Sequence, residues 1–231
     1  NMVLDNCLST IKHETIYYPN KIKQIIGRLN TQNLPEKDER EAVETITELI
    51  EYYKGIFTIL SSCAARQLEE VTFRRNTIPV QELFDAAGKY FRKVTKNRTE
   101  KVELIIEPMD AKVIGDVNQL RFLFENLIDE ALAVREEGVI RLQARKDNEY
   151  IRFLFTDTRR EKSVTELNQL FYPNLARMTS GEKGELRGTE YLICKQIIRD
   201  HDEFAGRRGC RINAEPAEGG GFTVYFTIPR R

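Results

Sequence analysis

The sequence predicts an α+β protein, an N-terminal antiparallel helical hairpin followed by a sandwich of one helical layer on one sheet. Three observations carry this expectation. A 3.5-residue apolar period runs through most of residues 1–75, whereas beyond Arg75 short helical patterns mix with alternating, β-branched segments. The 231 residues also fit one or two domains at roughly 100–200 residues each. The expected domains are 1–75 and 76–231.

The first helical pattern runs from Leu4 through Leu8, Ile11, Thr15, Tyr18, Ile22, Ile25 and Leu29, alternating steps of four and three. After Asn30 to Pro35 the pattern resumes at Val43 and continues through Ile46, Ile50, Tyr53, Phe57, Leu60 and Ala64. Two such seams joined by a turn form a hairpin, and two copies pairing into a four-helix bundle bury more than one hairpin alone. The alternative is a hairpin packed on its own globular domain. Pro79 forbids a helix interior, so Thr77 to Val80 reads as extended. Gln81 to Lys96 places Leu83, Phe84, Ala87 and Phe91 on one helical face, and Val102 to Glu107 reads as a strand. Asp116 is an N-cap for a helix through Leu120, Leu123, Phe124, Leu127, Ile128 and Ala131. Strands Gly138 to Lys146 and Tyr150 to Thr156 form a hairpin turning at residues 146–149. A polar, glycine-containing stretch spans residues 159–187, then a helix covers Thr189 to His201. Arg211 to Ala214 and Phe222 to Ile228 form the last hairpin.

Composition excludes several function classes. Lys plus Arg number 36 and Asp plus Glu 36, so the formal charge is zero. A general nucleic-acid binder needs a clustered cationic surplus to neutralise phosphate, so no nucleic-acid partner is expected. Four scattered cysteines (Cys7, Cys63, Cys194, Cys210) and two histidines offer little for a thiolate–imidazole zinc site, and reduced thiols are the default. No apolar run reaches the ~18–20 residues that span a bilayer. The first residues already read as uncapped helix, which suggests a piece of a longer protein.

His13 stands two residues from both Ile11 and Thr15, at the outermost point of its helix. A solvated imidazole titrates near neutrality and can act as a nucleophile through a ring nitrogen. Glu14 beside it can accept a hydrogen bond from the other nitrogen or take up its proton. Pro19 follows six residues after His13, where a buried helix interior would kink. Taken alone, such a histidine is equally a solvated surface residue.

The order His-Glu-x-x-x-x-Pro on a first helix, a second heptad helix and an α+β domain resembles the core of a sensor histidine kinase. Ile78 to Leu83 resembles the start of that family's ATP-binding domain. Gly115 to Leu120 with Glu125 to Ala131 looks like its N box. Phe155-Thr-Asp157 falls where the adenine-reading aspartate sits, Leu170 to Pro173 resembles its F box, and Gly219 to Pro229 is close to its terminal strand. The resemblance implies a histidine-kinase-type ATPase sandwich at 76–231 and a dimerisation and phosphoacceptor hairpin at 1–75. His13 would be the phosphorylated histidine, with Glu14 beside it. ATP would be bound by Asn126, Glu130, Asp157 and Gly188, and Mg²⁺ by Asn126 and Glu130. The implied partners are a second copy through residues 1–75 and the receiver domain of a response regulator, whose Asp takes the phosphoryl group. The implied location is the cytoplasm, either free or as the intracellular part of a longer membrane-bound sensor.

Four positions depart from that pattern. Glu130 replaces the magnesium-binding Asn of the family, and Ala133 a basic residue, although Arg135 is near. Arg159 stands where a glycine lets the backbone approach adenine. Gly188 is retained, but Glu190, followed by Tyr191, takes the next glycine position. Glycines serve such loops by permitting positive φ and close phosphate approach. Two readings therefore stay open: a kinase moving phosphate from ATP to His13, or a pseudokinase or phosphotransfer protein of the same fold with an eroded ATP site. A purely structural coiled-coil dimer is the third. Asp157 is also readable as a strand-end turn residue, Asn126 as a polar residue on a helix edge, and His201 as a cation at a helix C-terminus. Residues 181–188, with Lys183 and Arg187, are either a lid or a loop.

Overall fold

The computed structural model describes residues 19–31, 33–47, 49–50, 73–172 and 189–231. The chain divides into two compact units, and residues 72–172 with 190–231 make up the second. In the first, residues 19–31 and 36–47 are helical, and residues 33–35 between them are not. Pro35 begins the second helix: its carbonyl accepts the amides of Asp38 and Glu39. Its missing N–H costs nothing at a helix start. His13, Glu14, Cys7 and Cys63 lie outside the described residues, as does Gly188.

The second unit runs β1 (Asn76–Pro79), α1 (Val80–Thr95), β2 (Val102–Ile106), β3 (Lys112–Gly115), α2 (Val117–Leu132), β4 (Gly138–Asp147), β5 (Tyr150–Asp157), α3 (Val164–Gln169), α4 (Thr189–Phe204), β6 (Ile212–Pro216) and β7 (Phe222–Pro229). A five-stranded sheet has the order β2-β4-β5-β7-β6, and β1 pairs with β3 separately. Only the β2–β4 pair in the large sheet is parallel. The predicted α+β class, with helices over one sheet, is what forms. Strand β3 and helix α3 were not anticipated. Four residues are too few to show a period, and α3 sits inside a polar stretch. Its signal is a capping box: the Ser163 hydroxyl accepts from the Glu166 amide while the Glu166 carboxylate accepts from the Ser163 amide.

Period-two alternation in β5 sends Ile151, Phe153, Phe155 and Asp157 to the buried face. Phe153 stacks on Phe226 of β7 at 4.9 Å between centroids, and meets Phe84 of α1 and Phe124 of α2 edge-on at 6.0 and 5.8 Å. Each such ring contributes roughly 1.5–3 kcal/mol by leaving water. This aromatic centre holds α1 and α2 against the sheet. It also fixes where β5 ends, which places Asp157 at the margin of the core.

Candidate functional site

Asp157 is the fourth inward-facing residue of β5, so the pleat that buries three apolar side chains buries a carboxylate as well. It is 2% exposed. A carboxylate there must be paired or become neutral. The next turn of chain supplies the partners. Arg159 donates from Nε to Asp157 Oδ1 at 2.8 Å and from Nη2 to Oδ2 at 2.9 Å, a fork-to-fork pair. Its backbone amide adds a bond to Oδ1 at 3.0 Å, and Arg160 Nε donates to Oδ2 at 3.0 Å. Both carboxylate oxygens thus accept two hydrogen bonds each.

The Arg159 guanidinium is as enclosed as its partner, with its side chain 1% exposed. Nη2 also donates to Ala131 O at 2.6 Å and Nη1 to Glu136 O at 3.0 Å, so it caps carbonyls at and beyond the end of α2. Gly138 makes room for it. That residue has φ +136°, and a Cβ there would stand 2.8 Å from Arg159 Cγ. On the other side Gly221, at φ +80°, packs its backbone on the Asp157 carbonyl, where a Cβ would collide. Burial disfavours the Asp157 anion, but the hydrogen bonds from Arg159 and the charge of Arg160 together outweigh it. The carboxyl is held below its usual range.

Arg160 joins a second carboxylate to the group. Its Nη1 lies 4.0 Å from Glu130 Oε1, its Nη2 is 3.5 Å from Glu130 O, and its guanidinium lies 5.7 Å from the Phe222 ring centroid. Arg160 thus links Glu130 to Asp157, which is already paired with Arg159, so two cations stand beside two anions. Asn126 lies one helical turn before Glu130 on the same face of α2 and is buried. Its Nδ2 donates to Phe122 O of its own helix at 2.7 Å. The structure therefore brings Asn126, Glu130 and Asp157 to one region, with Arg160 between the carboxylates and Arg159 paired with Asp157. Among the described residues no group of three or more His, Cys, Asp or Glu side chains is placed to hold a metal ion.

Tyr191, Ala133 and Arg135 stand at or beside the remaining departures from the family pattern. Tyr191 is buried in α4 and meets Phe171 edge-on at 5.6 Å. Burial, then the charge of Glu130, pushes its hydroxyl well above the usual range, so it stays neutral. Ala133 is the C-cap of α2. Arg135 is largely exposed, 3.9 Å from Glu100, while Arg98 donates to Leu132 O at 2.7 Å and Val134 O at 3.2 Å. Sequence reasoning overlooked Arg98 and Arg160. The legible signal for Arg160 was a doublet of arginines directly after an inward-facing aspartate.

His201 differs from its sequence reading. Helix α4 runs on to Phe204, and His201 is fully buried inside its last turn. Nδ1 donates to Ile197 O at 2.8 Å and Nε2 accepts the Asp116 amide at 3.1 Å. Burial lowers its pKa, only partly opposed by the Ile197 bond and the Asp116 charge, so the ring is a neutral acceptor rather than a cation on the helix dipole.

The fold, a mixed sheet under helices with N-terminal helices before it, is an α+β sandwich of the histidine-kinase catalytic-domain architecture. Residues 115–231 match the family of histidine kinase-, DNA gyrase B- and HSP90-like ATPases, half of the chain, and the protein belongs to this family. No curated protein matches its sequence. Solved structures share the fold at low identity. A mycobacterial sensor histidine kinase, MprB, is 18% identical with a TM-score of 0.52, over 68% of this chain and 99% of that one. The histidine kinase ThkA, solved in complex with the response regulator protein TrrA, is 18% identical with a TM-score of 0.60, over 100% of this chain and 63% of that one. Full-length ShkA in complex with AMPPNP is 12% identical with a TM-score of 0.58, over 95% of this chain and 46% of that one. The chain thus has a histidine-kinase-like signal-transduction fold, and among the described residues no helix is long and apolar enough to cross a membrane.

Proposed function

We propose that this protein is a degenerate relative of the sensor histidine kinases, a pseudokinase or histidine phosphotransfer protein whose nucleotide domain does not read ATP through Asp157. One observation carries this reading. The oxygens of Asp157, the acceptors an adenine amine would need, already take bonds from Arg159 at 2.8, 2.9 and 3.0 Å and from Arg160 at 3.0 Å. A guanidinium already pairs with this carboxylate, and displacing it would strand a buried cation. The residue in the magnesium position does not favour a nucleotide either. Glu130 adds negative charge beside a triphosphate and already faces Arg160.

In this reading residues 1–75 form the dimer and the docking surface for a response-regulator receiver domain. His13 takes a phosphoryl group from a phosphorylated partner, with Glu14 accepting the ring proton. The competing reading is an active kinase, in which ATP phosphorylates His13 and the group passes to a regulator Asp. Titration calorimetry with ATP and Mg²⁺, paired with labelled-phosphate transfer to wild type and His13→Ala, separates them. Expected are no binding of ATP at micromolar concentrations and labelling of wild type, not His13→Ala, by a phosphorylated receiver domain. Micromolar ATP affinity, or labelling of His13 from ATP, would overturn the proposal.

A further inference from the structure

The segment by which the chain enters the second unit is strapped to the ends of two helices, and the other end of one of them, α2, reaches the arginine clamp. At the strapped end, Asp116 is the N-cap of α2. Its Oδ1 accepts the amides of Asn118 and Gln119 at 2.9 and 3.2 Å, and its Oδ2 accepts the amide of Arg74 at 2.8 Å. One carboxylate therefore caps the helix and holds the incoming backbone. The Asp116 amide in turn donates to His201 Nε2, near the end of α4. Phe73 covers the same histidine edge-on at 4.9 Å and lies 5.8 Å from Phe204. Arg75 crosses Gly206, where a Cβ would stand 2.5 Å from Nη1. Gly115 carries no side chain because His201 is there, 2.8 Å from the position of a Cβ. From Asn76 onward the strap continues as the β1–β3 ladder.

The opposite end of α2 meets the clamp. Ala131 O, near its C-terminus, accepts from Arg159, and Glu130 O lies against Arg160. The helix has 16 residues, so it spans about 24 Å as a rigid element. One rod has the latch at one end and the clamp at the other.

We propose that residues 73–75 are a mechanical latch, held by Asp116 and His201, through which displacement of the incoming chain is transmitted along α2 to the Arg159–Asp157 clamp. Release of Arg74 from Asp116 frees the N-terminus of α2, and withdrawal of Phe73 uncovers His201, which holds the Asp116 amide. Both movements change the registry of Ala131 O against Arg159. The device regulates access to the clamp region by the state of the preceding helices. It rests on the clamp as a structural object and not on whether nucleotide binds, so it stands or falls separately from the calorimetric test above.

The experiment is proton exchange at the Arg159 Nε–H, followed by NMR in the full chain. Phe73→Ala is expected to speed that exchange at least tenfold and to move the His201 titration upward toward 6.5, its ordinary value. Arg74→Pro, which removes the amide donor to Asp116 and fixes φ there, and Asp116→Asn, which keeps the helix cap, are expected to speed the exchange likewise. Neutralising Asp116 removes a charge that raises the His201 pKa, so only the exchange rate is read in that variant. They decide the matter if Phe73→Ala does not fold. Val164→Ala, at an exposed site on α3, is the control and leaves both readouts unchanged. An Arg159 rate within twofold of wild type while His201 shifts would overturn the transmission, and an unmoved His201 would overturn the latch. Equal acceleration by the control would overturn both, because it would mark general loosening.

Discussion

Removing Arg159 and Asp157 singly and together measures what the clamp contributes. In Arg159→Ala the carboxylate loses side-chain bonds at 2.8 and 2.9 Å and keeps the Arg160 contact at 3.0 Å. The carbonyls of Ala131 and Glu136 lose their donors as well. Breaking one side of a buried ion pair costs about 3–5 kcal/mol. For a chain of this size that is a fall in Tm of roughly 6–20 °C. Asp157→Ala strands the guanidinium and belongs in the same range. The double variant removes one cation and one anion, leaving Arg160 facing Glu130 as a neutral pair. Its loss should fall short of the sum of the singles by about 2–3 kcal/mol, the coupling of groups in direct contact. Urea unfolding of the four proteins, with no nucleotide present, supplies the numbers. A coupling below about 0.5 kcal/mol, typical of an exposed pair, would refute the idea that these two side chains form a desolvated clamp.

Two other consequences concern pH and backbone. His201 has its pKa lowered from 6.5, so the unfolded chain binds a proton first as pH falls. Its contribution to stability is present above about 6.5 and is lost as pH falls through the lower folded value. Asp157 and Asp202, lowered from 3.8, add a second loss below that value. Urea midpoints should therefore decline in two acid steps, and a His201→Gln variant should lack the first. Gly138→Ala forces an alanine to φ +136° against the fixed Arg159 chain, with an expected loss of about 1–3 kcal/mol. Thermal unfolding checks it, and a change under about 0.5 kcal/mol would contradict the close packing.

Much of the second unit was legible in the chain. The Asp116 cap, the apolar faces of α1 and α2 and the alternation in β5 each depend on neighbours within a few residues. Local periodicity therefore reveals them. The site was legible as positions but not as an arrangement. Asn126, Glu130, Asp157 and Arg159 were all singled out, with Arg159 noted as a bulky residue in a glycine's place. That its guanidinium would fold back onto Asp157 depended on Gly138, Ala131 and Glu136, which are 19 or more residues away in the chain.

By itself, then, the sequence determined the fold class, the family resemblance and the places where the nucleotide pattern fails. Period and capping are short-range, and motif order survives divergence. The tertiary structure decided what fills those places. Burial of Asp157 by the β5 pleat requires a compensating charge. Arg159 and Arg160 follow Asp157 closely in the chain, and the packing of β4, β5 and α2 encloses the Arg159 guanidinium against Ala131 O and Glu136 O so that it folds back onto the carboxylate. The same holds for His201. A helix-end histidine reads as a cation from sequence, and becomes a neutral acceptor because Gly115, Asp116 and Phe73 close around it.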